Sequence, residues 1–145
     1  MRAYQLAAIP GDGIGKEVIP AGLKVLEVLA ALEGFRPDVT LFGWDSDRYL
    51  AHGAYIPEGG LEQLRTFDAI FFGAVGAPQV PDHVSLWGLR LPICQGFDQY
   101  ANVRPSRLLP GVSSPMKNAA QMDWVIVREN TEGEYSGAGG RVHAG

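Results

Sequence analysis

The sequence predicts an α/β protein, a mostly parallel sheet with flanking helices, and three observations carry that expectation. Tyr4 to Ile9 favours a strand, breaks at Pro10-Gly11-Asp12-Gly13-Ile14-Gly15, and passes at once into a segment of helical period. Ala69-Ile70-Phe71-Phe72 is a continuous apolar run, the pattern of a strand buried on both faces, and it ends in a second glycine turn, Gly73-Ala74-Val75-Gly76. Asp123 to Val127 reads as a further buried strand that closes on the polar string Arg128 to Tyr135. Open α/β sheets bind ligands at the C-terminal edges of their strands, which makes these three strand ends the candidate positions for a site.

The remaining elements follow in order. Val18, Leu23, Val25, Leu26, Leu29 and Leu32 form an apolar stripe close to helical period through Glu33, with Pro20 early enough to be tolerated and Gly34 as the stop. Asp38 to Trp44 alternates as a second strand. Asp45 to Gly53 reads as a short helix, and an acidic helix start explains Asp45 and Asp47 better than a metal pair does. Pro57-Glu58-Gly59-Gly60 opens a helix from Leu61 to Thr66. Val80 to Trp87 reads as a loop. Its Asp82, His83 and Ser85 are the residue types of a hydrolytic triad, but sequence neighbours cannot adopt that geometry, and local turn hydrogen bonding accounts for them. Leu89 to Tyr100 reads as a helix containing Arg90 and Cys94, and Pro105 forces the preceding Ala101 to Arg104 to be extended.

Composition narrows the function classes. A chain of 145 residues, 46% hydrophobic and 19% charged, is long enough to bury a sizeable core. Its net charge of −4 and pI near 5.3 argue against a nucleic-acid binder, which needs a basic face. The single Cys94 excludes an internal disulfide and a multi-cysteine zinc site. No apolar run is long enough to span a membrane, and the first residues, interrupted by Gln5 and Pro10, do not form a signal peptide. A cytoplasmic enzyme or binding protein is the expectation.

The first glycine turn presents backbone N–H groups at a helix start, where an anion such as phosphate or carboxylate is favoured. Two familiar phosphate patterns fail on it. A P-loop needs four residues between its first glycine and Gly-Lys, then Ser or Thr; Gly11 and Gly15 are three residues apart and Lys16 is followed by Glu17. The dinucleotide fingerprint G-x-G-x-x-G fails because these glycines run G-x-G-x-G, with no acidic residue ending a second strand about twenty positions on. A glycine turn between strand and helix also serves as a purely structural device.

Taken together, Pro10-Gly-Asp-Gly-Ile-Gly15, Gly73-Ala-Val-Gly76, Asn102-Val-Arg-Pro105 and Val127-Arg-Glu-Asn-Thr-Glu-Gly133 resemble the metal-dependent β-decarboxylating dehydrogenases, the isocitrate and isopropylmalate dehydrogenase family. Val80-Pro-Asp-His-Val-Ser-Leu-Trp-Gly88 and Phe97-Asp-Gln-Tyr100 are most similar to its tartrate dehydrogenase and D-malate dehydrogenase (decarboxylating) branch. The resemblance implies an isopropylmalate dehydrogenase-like fold and the oxidation and decarboxylation of a small 2-hydroxy dicarboxylic acid, D-malate, tartrate or isopropylmalate. It implies NAD as hydride acceptor and a Mn2+ or Mg2+ ion. On its motifs, Arg104 and Arg128 fall on substrate-carboxylate arginines and Tyr135 on the tyrosine that donates the proton after decarboxylation; ordinary surface ion pairing is the plain alternative for the arginines. Gly13 and Ile14, with Val75 and Gly76, would lie along NAD.

The sequence departs from the family pattern twice. Ten positions before Arg104, where the family has another substrate arginine, stands Cys94; Arg90, one helical turn earlier, is a candidate substitute, and a buried apolar Cys94 serving a smaller substrate is the plain alternative. The family's catalytic lysine, metal-holding aspartates and adenine loop come later than Gly145. No two aspartates here stand four apart, and Lys16, Lys24 and Lys117 match no catalytic position. The expectation is therefore the N-terminal portion of a longer, homodimeric enzyme, inactive by itself, with residues 1–103 starting the large domain, residues 104–145 starting the dimer-forming one, and no metal ligands in this stretch. The competing expectation is a non-catalytic fragment that binds a dicarboxylate or nucleotide and needs a partner chain to fold.

Overall fold

The computed structural model describes residues 2–140, 142 and 143, so residues 141, 144 and 145 of the expected second domain lie outside the described residues. It divides into two compact units, Met1–Ile93 and Cys94–Gly145. The first unit is a mixed α/β structure built on a parallel sheet. Strand β1 (Arg2–Gly11) leads through the first glycine turn into helix α1 (Gly15–Glu33); β2 (Phe35–Leu41), α2 (Ser46–His52), α3 (Gly60–Leu64) and β3 (Ala69–Ala74) follow. The strand order is β2-β1-β3, with Arg2 opposite Phe35 on one side and Leu6 opposite Ala69 on the other.

Among the described residues the central strand alone has hydrogen-bonded neighbours on both sides, and its Ala7, Ala8 and Ile9 are fully buried. Three consecutive buried residues mean that both faces of β1 are covered, because successive side chains point to opposite faces. An aromatic cluster of Phe42, Trp44 and Phe67 packs edge to face, with centroids 4.9 and 5.5 Å apart.

Several expectations are corrected here. The β3 strand is half-buried, not buried on both faces, because β1 is its one sheet neighbour among the described residues. Helix α1 runs to Glu33 as expected; Ile19 and Ala30 are buried in it, whereas Val18, Val25, Leu29 and Leu32 are exposed. The helix meets the sheet along a narrower band than its apolar stripe, leaving an apolar groove of about 340 Å³ between Val25, Leu26 and Leu29 and the β3 residues Ile70 and Phe71. Strand β2 starts at Phe35 instead of Asp38, because left-handed Gly34 (φ 72°) ends α1 and turns the chain directly into pairing with β1. The expected Val80–Trp87 loop is helical. Pro81 heads α4 (Asp82–Ser85), and a π-helical turn, Leu86–Arg90, continues into α5 (Leu91–Gly96), which ends four residues short of Tyr100. Its Ser85 hydroxyl donates to the Asp82 carbonyl at 3.1 Å, the local bonding foreseen for that segment.

The second unit contains an antiparallel ribbon of β4 (Ala101–Arg107) and β5 (Asp123–Glu129). β5 is exposed, which overturns its reading as a buried strand: Trp124, Val125, Ile126 and Val127 all face solvent, since the ribbon has no covering layer among the described residues. No helix among the described residues is long and apolar enough to cross a membrane.

Candidate functional site

The two glycine turns meet at Asp12. Its backbone N–H donates to the Ala74 carbonyl at 2.8 Å, tying the first turn to the end of β3. Its side chain, 4% exposed, accepts from three donors. Oδ1 takes the Ser46 backbone N–H at 2.7 Å, and Oδ2 takes the Ser46 hydroxyl at 2.9 Å and the Gly76 backbone N–H at 2.9 Å. One carboxylate thus joins the first turn, the start of α2 and the second turn. Ser46 Oγ lies 2.8 Å from the hydroxyl of Tyr55, itself 1% exposed, so the chain of bonds continues into the core.

Burial pushes the Tyr55 hydroxyl above its ordinary value of 10.0, against an opposing hydrogen bond to Ser46. The folded state therefore holds this proton more tightly than the unfolded state, and its stabilising contribution is complete below about pH 10 and disappears as pH rises through the folded value. Lys16, raised by its hydrogen bonds to Asp47 and Asp45, adds to the same alkaline limb with the same sign. Tyr55→Phe is expected to flatten that limb in urea melts taken from about pH 8 to 11, while costing about 1 kcal/mol at neutral pH for the lost hydrogen bond. An unchanged alkaline slope would contradict the assignment.

The glycines in this region divide by what surrounds them. A Cβ on Gly15 would stand 2.0 Å from the Pro10 carbonyl oxygen and 2.7 Å from the Ala74 nitrogen, so this glycine is required for close packing of helix against strand. Gly13 (φ 50°) and Gly76 (φ 126°) take backbone conformations that side chains disfavour, and a Cβ at either would meet nothing within 4 Å. The Gly13 and Ile14 backbone N–H groups make no hydrogen bond among the described residues. Open space, exposed amides and a helix start together fit an anionic group at Gly13 and Ile14. For a divalent metal the fit fails: no group of three or more His, Cys, Asp or Glu side chains among the described residues could hold one. Asp45 and Asp47 are engaged with Lys16 Nζ at 3.2 and 3.0 Å, and Asp45 also caps α2 through Arg48 N–H.

The second unit puts Arg104 and Arg128 on one ribbon face and Tyr135 against Arg128. Arg104 pairs with Ile126 and Asn102 with Arg128 across the ribbon. Directly opposite residues share a face, as do residues two apart on one strand, so Arg104 and Arg128 lie on one face as diagonal neighbours about 7–8 Å apart. Arg128 Nη2 donates to the Tyr135 hydroxyl oxygen, its guanidinium carbon lies 5.2 Å from the centre of the Tyr135 ring, and Glu134 is 3.4 Å away. Glu129 shapes the loop between them. Its carboxylate accepts from Thr131 and Glu132 backbone N–H groups at 2.7 and 2.8 Å, and those bonds, Thr131 first, hold it below the usual carboxylate range. Gln95 Nε2 anchors the far end by donating to the Tyr135 carbonyl at 2.7 Å.

Cys94 is buried, and its Sγ receives the Asn130 amide at 3.3 Å; the same amide donates to Gln99 O at 3.0 Å. Arg90 ends the π-helical turn, half-buried, in the first unit with the two glycine turns. Asp12, Ser46, Tyr55, Asn130 and Gln95 were not singled out by sequence reasoning. Asp12 alone carried a signal: it is the one ionisable residue inside the first glycine turn.

Comparison with known proteins extends this picture. A family model described as isocitrate/isopropylmalate dehydrogenase matches residues 5–144. A probable tartrate dehydrogenase/decarboxylase of Agrobacterium vitis is 64% identical, covering 100% of this chain and 41% of that protein. The D-malate dehydrogenase [decarboxylating] of Escherichia coli is 52% identical, again over 100% of this chain and 41% of the relative. Among solved structures, isocitrate dehydrogenase from Methylococcus capsulatus superposes with a TM-score of 0.72 at 30% identity, covering 93% of this chain and 37% of the other. The chain thus spans about two fifths of the length of the relatives it matches, and those relatives are named as decarboxylating dehydrogenases. With nearly every residue inside the family match and the fold shared with a solved member, the chain belongs to the isocitrate/isopropylmalate dehydrogenase family.

Proposed function

We propose that this chain is part of an NAD-dependent, Mn2+- or Mg2+-dependent oxidoreductase that oxidises and decarboxylates a small 2-hydroxy dicarboxylic acid, D-malate or tartrate. The observation that carries the reading is the pair Arg104 and Arg128 on one ribbon face, with Tyr135 held against Arg128. Two guanidinium forks on one ribbon face suit a substrate with two carboxylates, because each can grip one bidentately. The names of the 64% and 52% identical relatives support the choice of acid.

In this reading Arg104 and Arg128 bind and orient the dicarboxylate. The Tyr135 hydroxyl delivers a proton to the carbon that loses carbon dioxide, while Arg128 holds the phenol and Gln95 anchors the Tyr135 backbone. Gly13, Ile14, Val75 and Gly76 hold the dinucleotide, which when bound supplies the hydride acceptor. In this reading the ion is held by residues outside this stretch of the functional enzyme, and this chain by itself is inactive. The enzyme works as a homodimer in the cytoplasm.

The test is NADH formation with NAD, manganese and D-malate, tartrate or isopropylmalate, by a protein that contains this sequence at the length of its relatives and by the 145-residue chain. Turnover is expected from the longer protein with D-malate or tartrate and none from the chain. Absence of turnover by the longer protein with every acid would overturn the proposal.

A further inference from the structure

We infer that Asp12 is a positioning residue for dinucleotide binding: it couples the two glycine turns so that Gly13-Ile14 and Val75-Gly76 act as one binding surface. The inference rests on the proposed dinucleotide reading of those turns and adds how their geometry is set. The turns approach each other through backbone at Ala74, which pairs with Gly11 and lies close to Gly15, but Gly13 and Gly76 carry no side chain that could lock one ligand-facing segment to the other. What joins them is the Asp12 carboxylate on the Gly76 N–H at 2.9 Å and the Asp12 N–H on the Ala74 carbonyl at 2.8 Å. The carboxylate cannot swing away, because Oδ1 and Oδ2 also accept from Ser46 at 2.7 and 2.9 Å and the Ser46 hydroxyl is in turn fixed by Tyr55.

The chemistry requires a carboxylate. All three groups that approach Asp12 include N–H or O–H hydrogens, and two are backbone amides that only donate. An ionised carboxylate accepts all of them. An asparagine of the same shape presents one NH2 group; at the Oδ1 position it would meet only the Ser46 N–H donor, whereas at the Oδ2 position it can donate to the Ser46 hydroxyl oxygen, so the amide settles against the Gly76 N–H and the tether to the second turn is the one lost. Asp12 itself does not line the open side of the turns; it is 4% exposed and acts through Gly76 and Ser46.

The experiment compares wild-type and Asp12→Asn in a protein containing this sequence at the length of its relatives. NADH binding is followed by fluorescence titration, backbone hydrogen exchange is read at residues 12–16 and 73–78, and steady-state kinetics are run with NAD varied. Losing one buried tether is expected to raise the NADH Kd and the KM for NAD about ten- to a hundredfold, with kcat within about threefold and the KM for the hydroxy acid nearly unchanged. Exchange is expected to speed up in residues 73–78 while β1 stays protected. Equal NADH affinity in the two proteins, or a fall in kcat without a change in Kd, would overturn the inference. Should wild-type itself bind no NADH, the dinucleotide reading fails and the inference with it; wild-type binding with an unaffected variant sinks the inference alone. If Asp12→Asn does not fold, wild-type exchange decides. NADH must slow exchange in both turns together, and protection of one turn without the other overturns the coupling.

Discussion

Gly15→Ala is expected to abolish the soluble folded state, whereas Gly13→Ala, two residues away in the same turn, is expected to leave it intact. At position 15 the new methyl carbon would sit 2.0 Å from the Pro10 carbonyl oxygen and 2.7 Å from the Ala74 nitrogen. Both are backbone atoms at the ends of β1 and β3, so neither can move aside without breaking the sheet pairing between Gly11 and Ala74. Overpacking of this kind costs about 3 kcal/mol or more, a large part of the roughly 5–15 kcal/mol that holds a domain folded. At position 13 nothing lies within 4 Å, and the penalty is the left-handed backbone at φ 50°, about 1–2 kcal/mol. Soluble yield and thermal unfolding distinguish the two. A Gly15→Ala protein that melts within a few degrees of wild-type would show that α1 does not start as tightly against β1 as described.

The second large effect is expected at Tyr135 and Arg128. In an active protein of the relatives' length, Tyr135→Phe removes the hydroxyl that Arg128 contacts and leaves the ring stacked against the guanidinium. If that hydroxyl moves the proton, kcat falls about a hundred- to ten-thousandfold while the KM for D-malate or tartrate changes little. Arg128→Lys keeps the charge but loses the fork, and is expected to raise the KM for the acid about ten- to a hundredfold. The two variants thus separate along different kinetic parameters. A Tyr135→Phe enzyme with normal kcat would remove the phenol from the chemistry and leave it a prop for Arg128.

These expectations differ in how far the sequence alone could have reached them. Both glycine turns were legible because a strand, a glycine cluster and a helical period succeed one another locally, and Gly34 and Gly53 ended their helices as read. What was not legible depends on partners distant along the chain. The Asp12 carboxylate meets Ser46 34 residues on and Gly76 64 residues on, and no local pattern records either bond. That Arg104 and Arg128 share a face follows from the register of β4 and β5, and a slip of one residue would have put them on opposite sides. The apolar runs of β3 and β5 announced surfaces that favour burial. Whether a neighbour covers them is a property of the assembled structure, and there the reading overshot.

The strand order β2-β1-β3 also sets how the first unit is made. The ribosome releases β1 first, yet β1 is the middle strand: its Arg2 waits for Phe35 and its Leu6 for Ala69 before either side is paired. Because both pairings are parallel and distant in sequence, the loop entropy of each must be overcome before any ladder bond forms, which places this unit among slower folders. Until β3 emerges, the apolar stretch Leu6 to Ile9 has an unpaired edge, a period in which a chaperone or a neighbouring nascent chain can reach it. Synthesis rate through residues 35–74 therefore governs how long the segment that ends up most deeply buried is also the most exposed.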